Sequence, residues 1–163
     1  MVNVTIEYMI LIPILILQVL LFPLTVGWLM DIWVDSRRTL ALKEVASHLG
    51  STIQQLYFAM NHETISAGTA TYSLGLPPFI ENYHYVGNAV LRSVLEPGLN
   101  SSKVLELTLT LVRARTTVTT SVILGPNVLP PPAEKSILIS NSTSACVSAE
   151  KFSNGTICLY FGE

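Results

Sequence analysis

At 163 residues, the chain has room for one extended element and one small domain, but not for two independent folds. The formal net charge is -2, and Lys and Arg are scattered rather than clustered, which argues against a nucleic-acid partner. The acidic residues are dispersed as well, so no block of like charge predicts a disordered tail.

The first element is an uncharged apolar run from Tyr8 to Met30, in which Gln18 is the only strongly polar side chain. About 20 apolar residues in a helix cross a bilayer core of about 30 Å. A helix that is apolar on every face is typical of a membrane span or of a helix buried in a hydrophobic core. Glu7 lies at the entrance to the run, where it either has a partner in apolar surroundings or sits among lipid head groups.

Two prolines, Pro13 and Pro23, interrupt the run. Each proline removes one helical hydrogen bond, so kinks or local loosening are expected there. Trp28 and Trp33 are typical of the far membrane interface, where amphipathic aromatic side chains collect.

From residue 31 to about residue 62 the helix is predicted to continue with one apolar stripe. Spacings of three and four residues define that stripe, which consists of Leu42, Val45, Leu49, Ile53, Leu56 and Met60. The stripe is expected to pack on the rest of the same chain, because too few heptads are present to favour a coiled-coil partner. The first domain is therefore the helix 1–62, with an apolar part 8–30 and an amphipathic part 31–62.

Residues 63–163 are predicted to form a β-rich head, so the fold class is α+β. Segments 104–112 and 116–124 are the clearest strands, because both are rich in β-branched residues, and 113–115 is expected to be their hairpin tip. Segments 83–86 and 89–94 are predicted as separate short strands around Gly87-Asn88. Segment 136–140 is expected at a sheet edge, and 146–149 with 156–161 as a terminal hairpin.

Both cysteines of the chain, Cys146 and Cys158, flank the turn of that terminal hairpin. A disulfide bond between them would stabilise a small domain with a limited core. The alternative is two buried free thiols. The head also carries three Asn-x-Ser/Thr sequons, at Asn100, Asn141 and Asn154. Together these features indicate an oxidising, glycosylating compartment, although a segment rich in Ser, Thr and Asn also produces sequons by chance.

Motifs for catalysis or cofactor binding are not found in the sequence. It contains no P-loop, no dinucleotide fingerprint and no His-Glu-x-x-His, and no serine lies in Gly-x-Ser-x-Gly. The histidines His48, His62 and His84 lack metal-ligand spacing. We therefore expect no enzyme activity, no cofactor and no metal.

The start Val4-Thr-Ile-Glu-Tyr, followed by an apolar helix, an amphipathic continuation and a β-rich head, resembles type IV pilins and pilin-like proteins. The resemblance is closest to archaeal pilins, and the Thr-Ile-Glu-Tyr start is also similar to tight-adherence (Tad-type) pilins. It covers the N-terminal third by motif and the remainder by architecture alone. It implies a pilin-like fold, in which one long N-terminal helix packs on an antiparallel head.

In that family a prepilin peptidase cleaves before the apolar helix, and a glutamate at the fifth mature position assists assembly. Counting back from Glu7, the resemblance implies that Asn3 is the first mature residue, whose ammonium pairs with Glu7 of a neighbouring subunit. It also implies an assembly platform, loosening of the helix near Pro23 or Pro13, and a C-terminal disulfide loop at Cys146 and Cys158. The family's leader has basic residues and a small residue before the cleavage point, whereas only Met1 and Val2 precede Asn3 here. Either the sequence starts close to the mature end, or processing differs from that of the family.

The resemblance implies a structural filament subunit, membrane-anchored before assembly and extracellular after it, that polymerises through its helices for adhesion or surface attachment. A minor or tip subunit is a second version of this hypothesis. The alternative from another class is a single-pass anchored β-domain that acts as a surface binding module. Arg37, Arg38 and Lys43 follow the apolar run, which by the positive-inside rule would place the head in the cytoplasm, whereas the sequons and cysteines favour the outside.

Overall fold

The computed structural model describes residues 2–93, 102–114, 116–142 and 145–162, with side chains from residue 9 onward. Within these residues, one long helix is followed by eight strands and a short 3₁₀ helix, which confirms the predicted α+β class. The elements are α1 (Val2–Met60), β1 (Gly68–Ser73), β2 (Tyr85–Ser93), β3 (Lys103–Leu111), β4 (Thr117–Leu124), β5 (Val128–Leu129), the 3₁₀ helix Ala133–Lys135, β6 (Ile137–Ile139), β7 (Cys146–Lys151) and β8 (Ile157–Gly162).

The chain divides into two compact units, Met1–Arg37 and Arg38–Glu163. Unit 1 is the first part of α1. Unit 2 contains the rest of α1 together with all of the strands, so the amphipathic part of the helix belongs with the head.

Two four-stranded sheets make up the head, in the orders β1-β7-β8-β5 and β4-β3-β2-β6. Neighbouring strands are antiparallel except for β5 and β8. Strands β2, β3 and β4 form a meander, and β6 closes it at the edge, as the sequence predicted for segment 136–140.

Strand β2 runs without a break through Gly87 and Asn88, so the prediction of two separate strands there was wrong. A Cβ atom at Gly87 would lie 2.8 Å from Cδ2 of Leu109 and 3.3 Å from Cβ of Leu138. Gly87 is therefore a point of close packing between β3 and β6 rather than a break.

The amphipathic part of α1 supplies one side of the head's core. Of the predicted stripe, five members are fully buried and Leu56 is half-buried, while Ala46 and Tyr57 join them. Gly50 allows close approach to β4, because a Cβ there would lie 3.2 Å from Cγ2 of Val122. The Tyr57 hydroxyl donates to Oδ1 of Asn127 at 2.8 Å, which ties the end of the helix to the segment before β5.

A tight turn at Ile80–Tyr83 packs against the first residue of unit 2. Glu81 and Asn82 both have positive φ, of 47° and 69°, between the bridged residues Ile80 and Tyr83. The Arg38 side chain donates from Nε to Oε2 of Glu81 at 2.9 Å, and its guanidinium lies 5.3 Å from the Tyr83 ring centroid. Because a left-handed conformation is unfavourable for glutamate, the ion pair and the stacked cation offset local strain.

The predicted Cys146–Cys158 disulfide is wrong, because both cysteines are free thiols. They lie on adjacent strands, but Cys146 is opposite Gly162 and Cys158 is opposite Glu150. Four residues along a strand span about 13 Å, whereas the Cα atoms of a disulfide lie within about 7 Å. The hairpin register therefore keeps the two sulfur atoms apart.

We expect both thiols to react with a thiol reagent in the unfolded protein without added reductant. In the native protein, Cys158 should react at least about tenfold more slowly than half-exposed Cys146, because its side chain is buried and the thiolate is the reactive form. Burial raises the pKa of the Cys158 thiol and the Glu150 carboxylate raises it further, while Lys135 opposes both. Labelling rates of the Cys146→Ser and Cys158→Ser proteins assign the two phases, and labelling that requires prior reduction would contradict the free-thiol assignment.

Candidate assembly surface

The most exposed apolar surface of the molecule is on the first part of α1, which we call the apolar segment (residues 9–33). Its large hydrophobic side chains, from Met9 to Trp33, are each 41–77% exposed. The helix is long and apolar enough to cross a membrane, and none of its most hydrophobic stretch is buried. Transfer of one such side chain out of water is worth about 1.5–3 kcal/mol, so this surface favours lipid or other apolar helices over water.

Helix α1 continues through both prolines, Pro13 and Pro23. These prolines supply no N–H to the carbonyls four residues earlier, those of Met9 and Val19. The apolar segment thus has two turns with a reduced hydrogen-bond ladder, at the positions where the sequence predicted loosening.

Polar groups are few along the apolar segment and are partly satisfied within it. The Thr25 hydroxyl donates to the carbonyl of Phe22 at 2.8 Å. At its end, the Arg37 guanidinium lies 4.9 Å from the Trp33 ring centroid, a cation–π contact suited to a membrane interface. The carboxamide of Gln18 is different, because no hydrogen bond to it is found among the described residues.

The two residues expected to take part in assembly, Asn3 and Glu7, lie on the first turns of α1, but their side chains are outside the described residues. Their pairing therefore stays a prediction. On the helix, Glu7 precedes the apolar segment by two residues, at the boundary where the apolar surface begins.

Two of the three sequons fall on the described part of the head. Asn141 is exposed in the turn after β6, and Asn154 is exposed in the turn between β7 and β8. Asn154 Oδ1 accepts hydrogen bonds from N and Oγ1 of Thr156, at 3.0 and 2.6 Å. Asn100 lies outside the described residues.

A cleft of about 450 Å³ in the head lies under the loop that follows β1, with Leu74, Phe79 and Leu138 among its walls. Its deeper polar groups are used by the fold. Tyr85 donates from its hydroxyl to the carbonyl of Pro77 at 2.9 Å, and Ser140 Oγ donates to the carbonyl of Pro78 at 2.8 Å. The described residues of the cleft therefore form a mainly apolar wall with no charged side chain.

Burial raises the pKa of Tyr85 to about 12. Because Tyr85 ionises near pH 10 in the unfolded state and only near 12 in the folded state, its contribution to stability is constant below pH 10 and is lost between pH 10 and 12, by about 2–3 kcal/mol in total. We expect a late tyrosinate titration at 295 nm that Tyr85→Phe removes, with loss of the head's near-ultraviolet circular dichroism in the same pH range. Titration of every tyrosine near pH 10 in the folded protein would contradict it.

The histidines His48, His62 and His84 do not converge on a site. Among the residues from 9 onward that the structure describes, no group of three or more His, Cys, Asp or Glu side chains is placed to hold a metal ion. His62 is engaged locally, with Nδ1 at 2.8 Å from Oγ1 of Thr64.

Sequence reasoning missed two features of this geometry, the Arg38–Glu81–Tyr83 contact and the role of Tyr57. The contact joins residues 43 positions apart, and no local pattern indicates it. Tyr57 could have been found, because it lies four residues after Ile53 and three before Met60, on the buried face.

Comparison of the chain with protein-family models, with curated proteins and with solved structures gives no match. The architecture, a long apolar N-terminal helix that continues onto an antiparallel β head, is consistent with a pilin-like protein.

Proposed function

We propose that the chain is a structural subunit of an extracellular filament of the type IV pilus class, which polymerises through its N-terminal helix. The observation that carries the proposal is the apolar segment, exposed on every face of a helix that continues into a folded head. Before assembly the membrane would cover this surface. In the filament, neighbouring copies would cover it, and the heads would form the outer sheath.

The polar start of the helix has a defined role in this proposal. Processing by a prepilin peptidase before Asn3 would leave a new terminal ammonium, and Glu7 of a neighbouring copy would pair with it. Inside a water-poor core, each of these charges needs the other, since one left alone is strongly unfavourable. Transfer of the subunit from the membrane to the filament would require an assembly platform that recognises the helix.

Filaments sheared from producing cells and imaged by negative-stain electron microscopy test the proposal. We expect thin filaments that an antibody against the head decorates along their whole length. Decoration only at the tips would indicate a minor or tip subunit. Absence of filaments, with the protein retained in the membrane fraction, would overturn the proposal in favour of the anchored binding domain.

The anchored binding domain is kept as the second candidate because of the head's cleft. Its volume of about 450 Å³ is within the range of small-molecule sites, and its uncharged walls fit a neutral ligand. That function would need the helix only as an anchor and would give Glu7 no role.

We also propose that Asn141 and Asn154 carry glycans on the filament surface, because both side chains are exposed in turns. Intact mass measurement of sheared filaments should show one glycan mass lost in Asn141→Gln and one in Asn154→Gln. A mass equal to that of the bare polypeptide in the unsubstituted protein would contradict glycosylation altogether.

A further inference from the structure

Gln18 lies near the middle of the apolar run, about 15 Å of helix from Tyr8 and about 18 Å from Met30. Its carboxamide carries two donors and one acceptor oxygen, and it is too short to reach water at either end. Lipid tails offer no hydrogen-bonding partner, and a polar group left unpaired in an apolar phase is unfavourable. A partner for Gln18 must therefore come from protein at the same depth.

The surroundings of Gln18 form one face of the helix, which we call the Gln18 seam. Its members alternate at spacings of four and three residues, and they are Leu11, Leu15, Gln18, Phe22, Thr25 and Leu29. This is the a/d spacing of a helix-pairing surface, with Gln18 at a d position between Leu15 and Phe22 at a positions. A shallow groove of about 370 Å³ lined by Leu15, Gln18, Val19 and Phe22 marks the centre of the seam.

Gln18 is the side chain on this face that still needs a hydrogen-bonding partner. Pro13 and Pro23 are each five residues from Gln18, which places them about 140° away around the helix in either direction. The Thr25 hydroxyl is already bound to the carbonyl of Phe22. Among the described residues, the seam thus has two polar side chains, and of these the Gln18 carboxamide is the one without a hydrogen bond.

We propose that the Gln18 seam is the surface on which a second copy of this chain docks, with the two Gln18 carboxamides hydrogen-bonded to each other. A carboxamide is complementary to itself, because each one can donate to the oxygen of the other. A single polar residue within the apolar interface of paired helices fixes their register, since any slip leaves both carboxamides unpaired. The inference rests on the proposed function in so far as copies meet through their helices. Gln18 selects the face used by two copies at the same depth, while the Glu7–ammonium pair would join a different neighbour that is displaced along the helix.

The proposal is tested by measuring self-association of the full chain in phosphatidylcholine vesicles. Energy transfer between dyes attached to Cys146 in the Cys158→Ser protein reports the association constant. An interhelical side-chain hydrogen bond in a membrane corresponds to about a three- to thirtyfold change in an association constant. We expect Gln18→Leu to weaken self-association by that factor. Moving the carboxamide to the opposite face in the double variant Gln18→Leu/Leu20→Gln preserves composition and serves as the matched control.

Oxidative cross-linking identifies the face, in full chains that lack Cys146 and Cys158 through Ser substitutions. Leu15→Cys lies on the seam and Ile16→Cys lies on the opposite side at nearly the same depth. We expect Leu15→Cys to form disulfide dimers and Ile16→Cys to form few. In the Gln18→Leu background the two yields should become similar, and in the Gln18→Leu/Leu20→Gln background the preference should reverse.

Equal cross-linking at the two positions in the presence of Gln18, or an association constant unchanged by Gln18→Leu, would overturn the proposal and leave lipid as the cover of the seam. If filaments form and these results are negative, only the role of Gln18 fails. If no filaments form but pairing depends on Gln18, the filament function fails and the docking surface stands.

Discussion

Glu7→Ala is expected to reduce the yield of sheared filaments by at least about a hundredfold. The substitution would leave the terminal ammonium of the neighbouring subunit without a partner in an apolar core. Removing one member of a buried ion pair costs about 3–5 kcal/mol, which corresponds to more than a hundredfold in an association constant. Filament mass per cell, quantified by negative-stain electron microscopy and by immunoblot of the sheared fraction, measures the effect.

The matched control is Glu63→Ala, which removes an exposed carboxylate from the turn after α1 and should leave the filament yield unchanged. Amounts of Glu7→Ala protein in the membrane fraction should equal those of the unsubstituted protein, because one alanine at the edge of the apolar segment does not hinder insertion. Glu7→Gln separates charge from hydrogen bonding, and it should be nearly as defective as Glu7→Ala. Filaments in normal amount from Glu7→Ala would remove Glu7 from the interface.

This outcome also separates the two candidate functions. A helix that serves only as an anchor needs apolar length, which α1 has with or without Glu7. A helix that packs against copies of itself needs polar groups placed where the partner can satisfy them. Under the proposed function, Glu7 at the entrance and Gln18 in the middle would be two such side chains.

Elements with a strong periodic pattern were predicted well from the sequence. The exposed part of the helix follows from an unbroken apolar run, and its buried stripe follows from apolar residues at spacings of three and four. Strands β3 and β4 follow from segments rich in β-branched residues. Each of these signals is local, because it depends only on which side of an element is covered. The same is true of the edge strand β6.

Features that depend on pairing between distant segments were not predictable in this way. The five residues between Lys151 and Ile157 set the register of β7 on β8, and that register places Cys146 opposite Gly162. Cysteine spacing alone could not reveal a four-residue offset. The Arg38–Glu81 pair is likewise a consequence of where the chain returns to the helix, not of any motif.

The contact of Gly87 with Leu109 is a further feature that local sequence does not reveal. It allows a quantitative test of the packing of the head. Leu109→Ala removes a fully buried side chain and is expected to destabilise the protein by about 2–5 kcal/mol. Gly87→Ala introduces a Cβ 2.8 Å from Cδ2 of Leu109, and it should cost about 1–3 kcal/mol. Urea unfolding of the full chain in detergent micelles, followed by near-ultraviolet circular dichroism of the buried tyrosines, measures both values.

The double variant Gly87→Ala/Leu109→Ala decides whether close packing is the reason for glycine at this position. With the Leu109 side chain gone, the new methyl group occupies part of the space that it leaves, so the double variant should be at least about 1 kcal/mol more stable than the sum of the single effects predicts. Ile123→Ala is the control, since this side chain is 66% exposed and its loss should change stability by less than about 0.5 kcal/mol. Strict additivity would mean that Gly87 is required for its backbone rather than for the contact with Leu109, and that the continuity of β2 has another cause.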